Sequence, residues 1–174
     1  MKRFPIALFI TLTLCLRTSP QILAATDKDA ATEAQLATTA DVTLIAEGKM
    51  SPLAPRTFVI THGMGGTTSG DRFELLARQL KENFPEANVF RIDWSKPATA
   101  TTFFGLPNPW IVAGRIDGVA AQAAQQLRAI DVDPQQVTLI GESFGVYVNQ
   151  RIARALGGVQ GMLAFNPASE EGGY

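Results

Sequence analysis

Cysteine is nearly absent from this chain of 174 residues: Cys15 is the single one. It lies in a segment with the features of a removable leader, so the mature protein is expected to have no disulfide and to depend on packing for its stability. Histidine is as scarce. His62 stands alone, without cysteine or a nearby pair of carboxylates, and cannot assemble the three or four ligands of a metal site. Basic charge is not in excess either, since the chain has 15 Lys and Arg against 16 Asp and Glu. No patch interleaves basic and aromatic residues, which excludes nucleic acid as an expected partner. The chain has no Gly-x-Gly-x-x-Gly, and no Lys-Ser/Thr follows its glycine cluster, so nucleotide binding finds no support and no cofactor is expected.

A long apolar run is missing as well. Residues 6–16 are almost wholly apolar, but a spanning helix needs about 20 such residues, and Arg17 closes this run early. With Lys2 and Arg3 before it, and Pro20 and Leu23-Ala24-Ala25 after it, the stretch is read as a signal peptide over residues 1–25. Cleavage falls after Ala24 or Ala25, and the expected location is secreted or periplasmic. A lipoprotein signal is the alternative, though bulky Leu14 precedes Cys15 where a small residue is usual. Losing the leader leaves 12 basic and 16 acidic residues, a net charge of −4.

What is present is ordinary globular material, 46% hydrophobic and 18% charged, enough for one domain with a core. Residues 26–55 form an N-terminal linker, rich in Ala, Thr and acidic side chains to residue 40, with a candidate first strand at 42–46. Residues 56–174 are the expected folded domain. Thr57-Phe58-Val59-Ile60-Thr61 is a surer strand, followed at once by His62-Gly63-Met64-Gly65-Gly66. From Ser69 the spacing of Phe73, Leu76, Leu80 and Phe84 predicts a helix closed by Pro85. A strand at 89–94 follows. Residues 96–110 are irregular yet apolar, with Phe103, Phe104, Leu106 and Trp110, which suits either a wall over an acyl pocket or plain packing. Ile116, Val119, Ala123, Leu127 and Ile130 place a stripe on a helix over 111–130.

The chain is organised around Gly141-Glu142-Ser143-Phe144-Gly145. An apolar β-branched run over 137–140 leads into it, and Val148, Ile152, Ala155 and Leu156 continue at helical spacing. A strand that turns at a serine into a helix is the outline of a nucleophile elbow, where Gly141 and Gly145 leave room for the tight turn. The plainer alternative is a serine that caps a helix N-terminus. The earlier glycine cluster then supplies an oxyanion hole, with N–H groups from Met64 and Phe144. Within it, Gly63 and His62 shape the loop, and His62 is read as holding that loop by hydrogen bonds rather than as the general base. Asp93, at a strand end, is read as fixing its loop. Gly161-Met162-Leu163-Ala164-Phe165 is a last strand, running into Asn166-Pro167-Ala168-Ser169. This alternation predicts an α/β fold with a mostly parallel sheet covered by helices on both faces.

On these motifs residues 60–169 resemble the α/β-hydrolase superfamily, and within it the secreted lipases that include the pancreatic and lipoprotein lipases. The likeness rests on His62-Gly63-Met64, Ile92-Asp93-Trp94, the serine elbow, and Phe165-Asn166-Pro167-Ala168, in that order. It implies a serine hydrolase of carboxyl esters acting on a small-molecule or lipid ester, and it leaves a lipid surface open as a contact. The oligomeric state is not legible. Two departures stand out. Asn166 occupies the place of the triad aspartate, with Glu170 and Glu171 beyond the turn as substitutes. The family's catalytic histidine belongs downstream of the acid, where this sequence has none. The expectation is therefore an α/β-hydrolase frame truncated after the strand that follows the elbow, with that strand as an uncovered edge and the chain a fragment of a longer reading frame. As it stands, the chain is expected to be nearly inactive. The competing expectation is a non-catalytic binding module on the same incomplete frame.

Overall fold

The computed structural model describes residues 42–68, 71–99, 104–106 and 108–169. The leader and most of the linker, together with Ser69, Phe103, Glu170 and Glu171, lie outside the described residues. A five-stranded sheet forms the centre. Its strands are β1 (Thr43–Ala46), β2 (Thr57–Thr61), β3 (Asn88–Asp93), β4 (Val137–Glu142) and β5 (Gly161–Phe165), in the spatial order β1-β3-β2-β4-β5. All neighbours are parallel except β1, which runs antiparallel to β3 at the edge. The candidate strand in the linker therefore belongs to the sheet.

The period of two along each strand sorts side chains onto two faces. Phe58 and Ile60 of β2, Val89 of β3 and Ile140 of β4 face α1 (Asp71–Asn83), where Phe73 and Ala77 complete one buried cluster. Val59, Phe90, Ile92 and Leu139 point the other way, into a larger cluster with Val119, Ala123 and Leu127 of α4 (Ile116–Ala129) and Val148 and Ile152 of α5 (Phe144–Ala155). A strand with both faces covered has no polar face to show, which is why β2 is buried along its whole length.

Two helices end differently from the sequence expectation. α1 stops at Asn83, one residue before Phe84, whose ring lies 5.3 Å from that of Phe58. The helix expected over 111–130 is two pieces: α3 (Pro109–Ala113), which follows the short α2 (Ser95–Ala98), and then α4. The chain turns at Gly114 and Arg115, where Arg115 reaches back to donate to the Pro97 carbonyl at 3.2 Å. Asn108 Oδ1 caps α3 by accepting from the N–H of Trp110 at 3.0 Å and of Ile111 at 3.4 Å. Asn-Pro at N-cap and N1 is a helix-start signal that the sequence reading passed over.

Candidate active site at the carboxyl edge of the sheet

The strand order reverses direction between β2 and β4. β2 leads through α1 to β3 on one side, while β4 leads through α5 to β5 on the other, with α1 and α5 on opposite faces. In open α/β sheets such a reversal point is where ligands bind, outside the carboxyl ends of the strands. Backbone pairing between them ends at Thr61↔Gly141. His62-Gly63-Met64 and Ser143 follow directly.

Ser143 has φ 52° and ψ −122°, a left-handed backbone that a side-chain-bearing residue seldom adopts. Such a conformation costs about 1–3 kcal/mol and persists only where its surroundings over-determine it. Here they do. The Ser143 N–H donates to Phe165 O at 3.0 Å, and Val146 N–H donates to Ser143 O at 3.1 Å. A Cβ on Gly145 would run into the Thr61 carbonyl oxygen and come 2.6 Å from that of His62. One on Gly141 would lie 2.8 Å from Asn149 Nδ2, Gly145 O and Val146 N alike, and one on Gly63 would lie 2.7 Å from Ser143 Cβ. Three glycines thus bring strand, loop and helix together around one serine. Although Ser143 stands at the N-cap of α5, its side chain makes no capping hydrogen bond.

The loop after β2 is fixed from several sides. Gly65 N–H donates to Ala98 O at 3.0 Å, and Gly66 N–H to Gly63 O at 3.1 Å. Met64 is half-buried against the larger cluster, and its N–H has no hydrogen-bond partner among the described residues. Phe144 is buried, with its ring edge-on to Tyr147. His62 is 1% exposed. Its Nδ1 donates to Gly63 O at 2.8 Å, and Nε2 accepts from the Trp94 N–H at 3.4 Å. The Trp94 indole stacks on the imidazole at 5.5 Å and donates its Nε1–H to His62 O at 2.9 Å. Burial holds His62 below its ordinary pKa, opposed by the Gly63 carbonyl and by the charges of Asp93 and Glu142. The ring is therefore neutral, with its proton on Nδ1.

Asp93 lies 3.9 Å from His62 Nε2 and accepts from the Ser95 N–H at 3.0 Å and from the Ser95 hydroxyl. Burial pushes its pKa up, but the bonds from Ser95 outweigh that and hold the carboxyl below its usual value. Glu142, next to Ser143 in the chain, faces Arg72 at 3.5 Å. Asn166 follows the last residue of β5, and because Glu142 pairs with Phe165 it lies in register beside Ser143. It is exposed, with φ 43°, and the Tyr147 hydroxyl anchors the turn after it by donating to Ala168 O at 2.6 Å. Among the described residues no group of three His, Cys, Asp or Glu gathers closely enough to hold a metal.

Two buried residues beneath the site escaped the sequence reading. Thr61 and Asn149, both fully buried, join through a 2.6 Å hydrogen bond beneath the elbow. The signal was an asparagine on the apolar face of α5, between Val148 and Ile152.

No protein-family profile matches the sequence, and no curated protein does. Solved structures do resemble the fold. A phospholipase/carboxylesterase from Dyadobacter fermentans DSM 18053 superposes with a TM-score of 0.51 at 18% identity, over 73% of this chain and 60% of that one. A cold-adapted esterase from an Arctic intertidal metagenomic library gives 0.50 at 16% identity, over 71% of this chain and 54% of the other. The chain thus spans little more than half the length of these structures. Sheet order, elbow position and these likenesses agree on one architecture: the chain carries the α/β-hydrolase fold over its mostly parallel five-stranded sheet.

Proposed function

We propose that the protein is an exported serine hydrolase of carboxyl esters with Ser143 as its nucleophile. The observation that carries this reading is the backbone of Ser143, held at φ 52° by three glycines while its hydroxyl is left uncommitted to the helix it begins. Strain of this kind concentrates where a side chain must be presented to a reactant. Ser143 Oγ attacks the acyl carbon, and the oxyanion that forms takes the N–H groups of Met64 and Phe144. The Oγ proton passes to a histidine and from it to the departing alcohol. Water then releases the acyl group by the same route.

His62 is not that histidine, because it is buried with both ring nitrogens bonded. The base comes from sequence beyond residue 174, and Asn166 stands at the acid position, orienting the base without charge. Replacing the triad aspartate by asparagine costs about 10⁴ in turnover in the serine protease studied. The two esterase-type structures support an ester substrate, and the resemblance to secreted lipases extends it to lipid esters. Exposed Phe104, Leu106 and Trp110 support a lipid surface as a contact.

A site without its base and its carboxylate still exceeds water by about 10³–10⁴-fold through the oxyanion hole and binding, a rate that does not need the serine. The purified chain is therefore expected to hydrolyse p-nitrophenyl acetate slowly, and Ser143→Ala to remove the part of the rate above that residual. Ordinary enzyme turnover, about 10 s⁻¹, would sink the account of the missing base. The engagement of His62 also favours a second reading, a binding module that keeps the frame without chemistry. Failure of a fluorophosphonate to label Ser143 at all would bring that reading to the front.

A further inference from the structure

The ladder between β2 and β4 ends at Thr61↔Gly141, so the next residues on each side, His62-Gly63-Met64 and Glu142-Ser143, have no shared backbone pairing. What spans the gap is a side-chain link. Thr61 Oγ1 donates to Asn149 Oδ1 at 2.6 Å, and both residues are at 0% exposure. Asn149 lies in the second turn of α5, the helix that Ser143 begins. Its Nδ2 has no hydrogen-bond partner and sits 2.8 Å from where a Gly141 side-chain carbon would be. One amide thus grips the strand end that leads into the oxyanion loop and fills the space where a side chain on the glycine that opens the elbow would stand.

An amide buried with one end unsatisfied is costly, and the surrounding face of α5 is apolar. Packing alone would be served by leucine. We propose that Asn149 is a positioning residue: through Thr61, and against Gly141, it sets the separation between the Met64 and Phe144 N–H groups, and so the width of the oxyanion site. This inference rests on the serine-hydrolase reading of Ser143. A donor pair aimed at developing charge loses its effect when its spacing drifts, and a displacement of about 1 Å costs up to about 10²-fold.

The test compares the full chain with Thr61→Val, Thr61→Ser and Asn149→Leu by two readouts. The first is Ser143-dependent turnover of p-nitrophenyl acetate. Thr61→Val and Asn149→Leu are expected to lower kcat by about 10- to 100-fold with KM unchanged. Thr61→Ser, which loses the methyl group but keeps the hydroxyl, is expected to stay near the parent rate. The second readout is amide hydrogen exchange, expected to quicken at residues 62–66 and 143–146 in the two disabling variants while β1 and β3 hold theirs. Parent-like rates and exchange in Thr61→Val would overturn the proposal. So would equal damage in Thr61→Ser, which would mean packing and not the hydrogen bond. If the parent itself shows no Ser143-dependent turnover, the serine-hydrolase reading falls, and exchange still decides whether the link aligns the two segments. Should Asn149→Leu fail to fold, the Thr61 pair carries the test alone.

Discussion

Gly145 is the most tightly enclosed of the described glycines, whereas Gly114 has room for a side chain. A methyl group at Gly145 meets two carbonyl oxygens of the β2 loop, whereas at Gly114 it finds ordinary contacts of 3.6 and 3.7 Å at φ −63°. Gly145→Ala is therefore expected to destabilise by about 1–3 kcal/mol. Gly114→Ala should stabilise by about 0.4–1 kcal/mol through the unfolded chain. Urea titration of both variants checks the sign. His62 makes stability depend on pH. An unfolded histidine binds its proton near pH 6.5, about the ordinary value, while folded His62 binds it only at lower pH. Between those values the unfolded state holds more protons, so stability is full above the window and falls as pH drops through it. Asp93, depressed in the fold, adds a second loss further into acid. Melting temperatures from pH 7.5 to 5 should decline in the parent and flatten in His62→Gln. At this scale the sequence showed that Gly141 and Gly145 make room for a turn and that His62 serves its loop. It could not show that Trp94 stacks on the imidazole, because that contact joins two strands through their spatial order.

Among the elements, β5 is the least defended. It lies at the sheet edge with Met162, Leu163 and Phe165 each at least 39% exposed, and neither charge nor proline lies within Gly161–Phe165. An edge with free backbone groups and apolar side chains is a template for another strand. A chain of residues 1–174 should self-associate as its concentration rises, and Leu163→Lys should suppress this with little change in melting temperature. Light scattering at matched concentrations decides, and equal scattering by the two proteins would refute it. That this strand is apolar and follows the helix begun by Ser143 was legible in the sequence. The break between α3 and α4 was legible only in Asn108-Pro109, because the hydrophobic period continues from Val112 to Ile116 across the turn and conceals it. Asn149 stayed hidden for a related reason. A helix face announces which side is buried, but not that one of its polar residues bonds a strand 88 positions away.

For the whole molecule, alternation of strand and helix was enough to predict an α/β fold and a mostly parallel sheet. Order and register were not, since they depend on pairings between segments far apart in sequence, which no local pattern records. The placement of Asn166 beside Ser143 follows from that register alone. The same order has a consequence for the chain as it is made. β2 is the central strand, and its second neighbour, β4, lies about 80 residues further on. At about 5–20 residues per second of synthesis, β2 and β3 wait several seconds with one long apolar flank unpaired. The site, whose residues follow β2 and β4, can form only after that interval. Synthesis thus leaves the turn at Ser143 unformed while β2 and β3 are already present, and it makes that waiting half the part most in need of a chaperone's cover.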